Sequence, residues 1–323
     1  MASGDGTGGA GGTAEQLAGL HAALRRVIVG ADDAIRLLII ALAAGGHALL
    51  EDVPGVGKTT LARTLARSLG GTFQRIQCTP DVLPTDITGT SIFNQRTAEF
   101  ELRRGPLFAN IVLADEINRA GPRTQSALLE AMAEHHVTID GQTLPLPAPF
   151  LVVATQNPIE LEGTFPLPEA QLDRFLVSFE LGYPTLDEER VLIRRYRTDE
   201  PGVDVVPVLS TEDVLALQQA CRSVRIDPSL EDYALSLVRR SRESDLLQLG
   251  VSPRGTLSLL RAAQGHALLR GGTYLLPDDV KAVAVPALAH RVMVRSQARL
   301  RGRTRQQVIQ ELLDAEPVPG GGG

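Results

Sequence analysis

The sequence predicts an α/β fold, a parallel sheet flanked by helices, followed by a smaller all-helical domain. Three observations lead there. Short apolar runs at residues 47–51, 73–78, 110–114, 150–155 and 177–181 alternate with helical stretches such as 59–69 and 124–134. Several of these runs lack polar alternation, as strands buried on both faces do. Past residue 184 the strands stop, and residues 187–197, 211–223, 229–242, 254–269 and 277–289 read as helices, several opened by Thr, Ser, Asp or Pro.

Composition agrees with this division. A chain of 323 residues suits two domains, and 43% hydrophobic against 22% charged residues supplies a sizeable core and excludes disordered, fibrous and collagen-like classes. A formal charge of −6 argues against a surface given over to nucleic acid. The two cysteines, Cys78 and Cys221, cannot build a disulfide framework and are expected as free thiols. The start has neither the basic residues nor the apolar core of a signal peptide. The longest apolar stretch, 37–50, is broken by Gly45, Gly46 and His47 and falls short of the roughly 20 residues a bilayer needs. A cytoplasmic protein without membrane insertion is expected. Gly-rich residues 1–13 and 316–323 read as flexible tails, leaving an α/β domain over 14–183 and a helical one over 184–315.

Two excursions interrupt the first domain. Residues 91–93 and 99–102 read as one hairpin, and 137–139 with 143–146, around Asp140-Gly141, as another. Hairpins inserted into a parallel sheet are expected to project from it.

Chemistry gathers at the strand ends. The run at 47–51 leads into Asp52-Val53-Pro54-Gly55-Val56-Gly57-Lys58-Thr59, then Thr60 and a helix. Glycines let backbone N–H groups close around phosphate oxygens, a lysine serves the outer phosphates, a hydroxyl serves Mg²⁺, and a helix N-terminus lies behind. Asp52 stands where the usual pattern has glycine. Lys58 is one of only two lysines, the other being Lys281, against 30 arginines. The run at 110–114 ends in Asp115-Glu116, either an acidic loop start or a pair in which Asp115 holds Mg²⁺ through water and Glu116 orients the attacking water. After 150–155 come Gln156-Asn157-Pro158; Asn157 either forms an Asn-Pro turn or reaches the same γ-phosphate. In Asp173-Arg174-Phe175, the arginine either pairs with Glu169 or Asp173 or reaches a neighbouring subunit's nucleotide as an arginine finger. Ser252-Pro253-Arg254 opens a helix of the second domain, where Arg254 either meets a local carboxylate or faces the phosphates.

In this order the set resembles the AAA+ ATPases, with a P-loop core and a helical lid. Three segments resemble one branch, the MoxR family: residues 51–59, Thr155-Gln156-Asn157-Pro158-Ile159, and the long run from Glu162-Gly163-Thr164-Phe165 to Leu172-Asp173-Arg174-Phe175. Residues 79–89 belong to the same likeness, which covers about residues 20–300; Asp52 in place of glycine is ordinary there. The resemblance implies ATP and Mg²⁺ as ligands, and an ATP-driven homo-oligomeric ring, hexameric, remodelling a protein client as a chaperone does. It implies a von Willebrand factor A domain partner, which must be a separate chain because no Asp-x-Ser-x-Ser motif occurs here. It also implies that Val29-Gly30 lies near the adenine and that both hairpins face the ring's pore.

Other readings compete. A nucleic-acid motor would use the first hairpin, with Arg96, Arg103 and Arg104 beside Phe93 and Phe100. A switch that barely hydrolyses would lack Glu116 or Arg174, and both are present. A metal-chelatase motor would also need the separate partner. His135-His136 reads as a solvated helix end rather than a zinc site. Residues 290–305 hold six arginines without aromatics, a solvated or phosphate-contacting face.

Overall fold

The computed structural model describes residues 8–157, 163–196 and 205–319. Most of the two expected tails' outermost residues, and residues 158–162 of the family-like run, lie outside these.

Five parallel strands form the central sheet: β1 (Ala48–Glu51), β2 (Phe73–Gln77), and, later in the chain, Ile111–Asp115, Leu151–Gln156 and Val177–Phe179. Between β2 and these comes the first hairpin, β3 (Gly89–Asn94) and β4 (Glu99–Arg104), so Ile111–Asp115 is β5. The second hairpin is β6 (His136–Ile139) and β7 (Gln142–Pro145), which makes the last two sheet strands β8 and β9. The order across the sheet is β2-β5-β8-β1-β9. β1, β5 and β8 are buried along almost their whole length, which is why their sequences show no alternation, whereas the edge strand β2 is largely open to solvent.

Both hairpins stand apart from the sheet as two-stranded units. Asp140 and Gly141 take φ of 49° and 79°, the left-handed pair a two-residue hairpin turn demands. The first hairpin is pinched at its base, where a Cβ on Gly89 would lie 2.4 Å from the Arg103 carbonyl oxygen. Only glycine fits there.

Helices α1 (Gly8–Val27), α2 (Asp32–Ala43) and α3 (Lys58–Ser68) cover one face of the sheet; the short α4 (Pro84–Thr88), α5 (Pro122–Glu134) and α6 (Glu169–Leu172) lie on the other side. α1 begins inside the segment expected to be a tail, because Leu17, Leu20 and Leu24 are fully buried and helix propagates from that anchored part back through the glycines. At the far end of the chain, Glu316 is also no tail residue: it is buried and pairs with Arg240 at 2.5 Å.

The second lobe contains α7 (Leu186–Tyr196), α8 (Thr211–Arg222), α9 (Pro228–Glu243), α10 (Pro253–Leu269), α11 (Pro277–Leu288), α12 (Ser296–Leu300) and α13 (Arg305–Asp314). It is helical, with one addition: β10 (Leu247–Leu249) and β11 (Met293–Val294) pair antiparallel. The arginines of 290–305 do not form one face. Arg291 is buried against Asp173, Arg305 pairs with Glu51, Arg303 with Glu311, and Arg295 donates to the Leu247 carbonyl. These four each meet an acceptor in the folded chain, and exposed Arg299 and Arg301 are what remains of a solvated stripe.

One apolar cluster runs through both lobes. Its keel is α2, which packs against α1, α8, α10 and β9 and buries eight of its residues from Ala34 to Ala43. Only the edge carrying Asp32, Asp33 and Arg36 reaches solvent, and so wide an apolar surface must be covered on the remaining sides. α10 comes so close that a Cβ on Gly265 would sit 3.0 Å from an Ile40 methyl. Leu38 is fully buried in this cluster. Leu38→Ala is therefore expected to cost about 2–5 kcal/mol, lowering the thermal unfolding midpoint by several degrees in a calorimetric scan; an unchanged midpoint would contradict the enclosure.

Candidate active site

The sheet aligns three strand ends. Glu51 of β1 stands level with Gln156 of β8, and Leu50 with Thr155. On the other side of β8, Ala114 is level with Ala154, so Asp115 falls beside Thr155. The phosphate-loop strand and the Asp-Glu strand are thus one strand apart, roughly 10 Å at the usual spacing.

The loop between β1 and α3 is shaped by backbone. Gly55 and Gly57 have φ of 87° and 95°, and a Cβ on either would meet nothing within 4 Å, so the space in front of the loop is open. Gly57 caps α3, which starts at Lys58 and aims its free N–H groups at the loop. The Lys58 ammonium donates to the carbonyls of Asp52 (2.9 Å) and Val53 (3.2 Å). Asp52, the departure from glycine, turns its carboxylate away from the phosphate side. Its Oδ1 accepts the Val53 N–H at 2.8 Å, and its Oδ2 accepts the N–H groups of Leu181 at 2.6 Å and Gly182 at 3.1 Å. A glycine would leave those linker N–H groups without this acceptor. Burial, then the charges of Asp52 and Glu51, raise the pKa of the nearby Glu180.

Beside the loop lies a cavity of about 440 Å³. Val29 and Gly30 form one wall, Pro54, Val56 and Thr60 another, and Tyr183 of the linker closes it together with Leu192 and Ile193 of α7. An apolar slot of this size, opening onto a phosphate loop, suits a planar base with its phosphates on the helix end.

At the carboxylate pair, Thr155 is the hub. Fully buried, its hydroxyl donates to Asp115 Oδ1 at 2.6 Å and accepts the Glu116 N–H at 2.8 Å. Glu116 is held at φ 57°, ψ 50°, a left-handed backbone that a glutamate adopts only where its surroundings enforce it. Its carboxylate is half-exposed and accepts from Gln77 (3.2 Å) and Arg119 (3.1 Å). Arg75 binds Asp115 Oδ2 at 2.6 Å. Thr59, at the first turn of α3, makes no hydrogen bond through its hydroxyl among the described residues. A hydroxyl and a carboxylate form an oxygen-only donor set, which fits a hard cation such as Mg²⁺. The thiols take no part: burial above all, then Asp115 and Glu116, pushes Cys78 up to about 12, and burial does the same to Cys221.

The remaining candidates are spread around this centre. Asn157 lies just past the end of β8, half-buried. Arg174 pairs with neither Glu169 nor Asp173. Its Nη1 donates to the Leu129 carbonyl of α5, on the sheet face opposite α3, beside a cavity it shares with Glu130, Glu134 and His136. It is not brought to its own phosphate loop. Arg254, in the first turn of α10, is exposed and makes no hydrogen bond or ion pair among the described residues. Sequence reading missed Thr155 as a hub, and it missed Arg75, Gln77 and Arg119. A threonine two residues before an asparagine candidate carried the only signal, its place at a strand's last turn inward.

A phosphate loop behind the middle of a parallel sheet, a carboxylate pair one strand away and a helical lid define a P-loop core of the AAA+ class. Residues 47–177 match the family model described as "ATPase family associated with various cellular activities (AAA)", and 239–312 the AAA lid domain. The protein YeaC of Bacillus subtilis is 50% identical over 92% of both chains. Chaperone MoxR1 of Mycobacterium tuberculosis is 44% identical over 97% of this chain and 85% of its own. A crystal structure from Cytophaga hutchinsonii, assigned as an ATPase, superposes with a TM-score of 0.90 at 39% identity over 96% of each chain. The chain belongs to the MoxR family of AAA+ ATPases.

Thr155→Val keeps the shape of the hub and removes its hydroxyl. Leaving Asp115 Oδ1 and the Glu116 N–H unpaired is expected to cost about 1–3 kcal/mol, and ATP turnover is expected to fall with it. Denaturant unfolding and steady-state hydrolysis of this variant beside Thr155→Ser, which restores the hydroxyl, test the assignment; equal behaviour of the two would refute it.

Proposed function

We propose that the protein hydrolyses ATP within a hexameric ring of identical subunits and uses the resulting motion of its lid to remodel a protein client, together with a von Willebrand factor A domain protein on a separate chain. The observation that carries the catalytic part is Glu116, held in a left-handed backbone by Thr155 next to Asp115 and opposite an open phosphate loop. A carboxylate fixed beside the γ-phosphate position polarises a water for in-line attack.

The roles follow from position. The N–H groups of Gly55, Val56, Gly57, Lys58 and Thr59 take phosphate oxygens, and Lys58 neutralises the outer phosphates. Thr59 and Asp115 would hold a magnesium ion, which would supply charge neutralisation for the phosphates when bound. Glu116 holds the attacking water and Asn157 orients it from the neighbouring strand. Val29 and Gly30 bound the base. Arg254 faces the phosphates from the lid, so that the lid closes on ATP and relaxes after hydrolysis.

The ring rests on Arg174. Its place on the α5 side, away from its own loop, suits an arginine offered to an adjacent subunit. The relative named a chaperone supports the remodelling role. The nucleic-acid reading draws less support: Phe93 and Phe100 pack edge to face at 5.3 Å, one apolar tip rather than two stacking platforms.

Lys58→Ala is expected to weaken ATP binding, whereas Glu116→Gln is expected to bind ATP and turn over little of it; nucleotide titration and hydrolysis separate the two, and unimpaired hydrolysis by Glu116→Gln would sink the assignment. For Arg174, an arginine finger is worth roughly 10³–10⁵ in rate. Arg174→Ala alone is expected to lose most turnover, and mixing it with Lys58→Ala subunits to restore part at mixed interfaces. Mixed rings that assemble but stay inactive would rule out action across the boundary.

A further inference from the structure

Asp115 and Arg75 form an ion pair in which only the acid is enclosed. The Asp115 side chain is 12% exposed and the Arg75 side chain 46%. Arg75 stands on β2, the edge strand of the sheet, two residues before Gln77, which is level with Asp115. Residues two apart on a strand share a face, so Arg75 and Gln77 lie on the same side of β2. Arg75 Nε (3.2 Å) and Nη2 (2.6 Å) both donate to one oxygen, Asp115 Oδ2, and Nη2 also donates to Gln77 Oε1. The other oxygen, Oδ1, is taken by the Thr155 hydroxyl from β8, on the far side of β5. Arginine grips an acid most firmly when its fork spans both oxygens. This one holds a single oxygen.

The two partners need each other unequally. A carboxylate kept from water must be answered by a cation or by several donors. A half-exposed guanidinium loses little on turning back to solvent. Asp115 is also the acid assigned to magnesium, with Thr59. A guanidinium and a dication drawn to one carboxylate each reduce what is left for the other, and they repel. A unit charge a few ångströms from a dication weakens its binding by about tenfold even in a water-like dielectric.

We infer that Arg75 is a withdrawable counter-ion, which competes with the divalent cation for Asp115 and so sets how tightly that ion is held. The inference rests on the assignment of Asp115 to magnesium. While Arg75 answers Asp115, the carboxylate offers a dication little net charge, and firm retention of the ion waits on the phosphates of a nucleotide.

The test uses the full-length chain carrying Arg75→Gln, Arg75→Met, Arg75→Lys or Asp115→Asn. ADP affinity is measured for each in excess Mg²⁺ and again in EDTA, and the ratio of the two constants gives the coupling between ion and nucleotide. Any effect of a variant on nucleotide binding alone cancels in that ratio. Arg75→Gln and Arg75→Met keep much of the stem and remove the charge, and they are expected to raise the ratio about tenfold. Arg75→Lys keeps the charge and is expected to stay within about threefold of the parent. An arginine that only held Asp115 still would give the opposite sign, because a loosened carboxylate meets the ion less well. A ratio lowered or left unchanged by the neutral variants, or raised as much by lysine, would overturn the inference; either neutral variant suffices should the other fail to fold. Asp115→Asn is expected to lower the ratio. If it leaves the ratio unchanged, the assignment of Asp115 to magnesium fails, and the inference with it.

Discussion

Three carboxylates crowd the ends of the central strands, and all three are nearly out of water: Glu51, Asp52 and Asp115. A buried charge left unpaired costs several kcal/mol, so each must be answered. The answers come from different elements. Gln156 of β8, Ser178 of β9 and Arg305 of α13 meet Glu51. The N–H groups of Val53, Leu181 and Gly182 meet Asp52, and Thr155 with Arg75 meets Asp115. β8 serves both neighbours, one residue apart, which requires it to lie between β5 and β1. Strand order, linker path and the seating of the last helix are thus all tied to the need to satisfy these three buried acids.

Much of this architecture was legible along the chain. The strands lie within a residue or two of their apolar runs because a strand buried on both faces writes its boundaries in hydrophobicity alone. Asp140-Gly141 located its hairpin because few other pairs tolerate two left-handed residues. The phosphate loop and the Asp115-Glu116 pair are local in sequence as in space. What escaped was non-local or too short. β10 and β11 are three and two residues long, with no room for a period. α13 opens on Thr304 with Gln307 returning the cap, a signature that was there to be read. Nothing in residues 290–305 separates the enclosed Arg291 from its solvated neighbours, since an arginine's surroundings are decided by chain far away. Asp52 appeared only as a missing glycine; the N–H groups that explain it lie about 130 residues on.

The hub at Thr155 shows how the two kinds of information meet. Its hydroxyl orients Asp115 and fixes the backbone of Glu116, so both members of the carboxylate pair are aimed by a neutral residue on the next strand. Such a residue is selected for reach and burial rather than reactivity, and a threonine on an apolar strand gives no chemical hint of that. The same holds for Arg75, whose partner Asp115 is on the adjacent strand.

The apolar cluster that runs from α1 through α2 into α10 and α11 has a consequence for taking the protein apart. Residues 47–177 are a recognisable module, yet they are not a separable one. Cutting the chain near the linker would strip the lid from one side of α2 and present Ile35, Leu38 and Ile39 to water as a sticky seam. A fragment of that kind should clump rather than bind nucleotide, and a protease reaching the linker would destroy both lobes at once. The module boundary drawn by sequence likeness and the boundary drawn by folding do not coincide in this molecule.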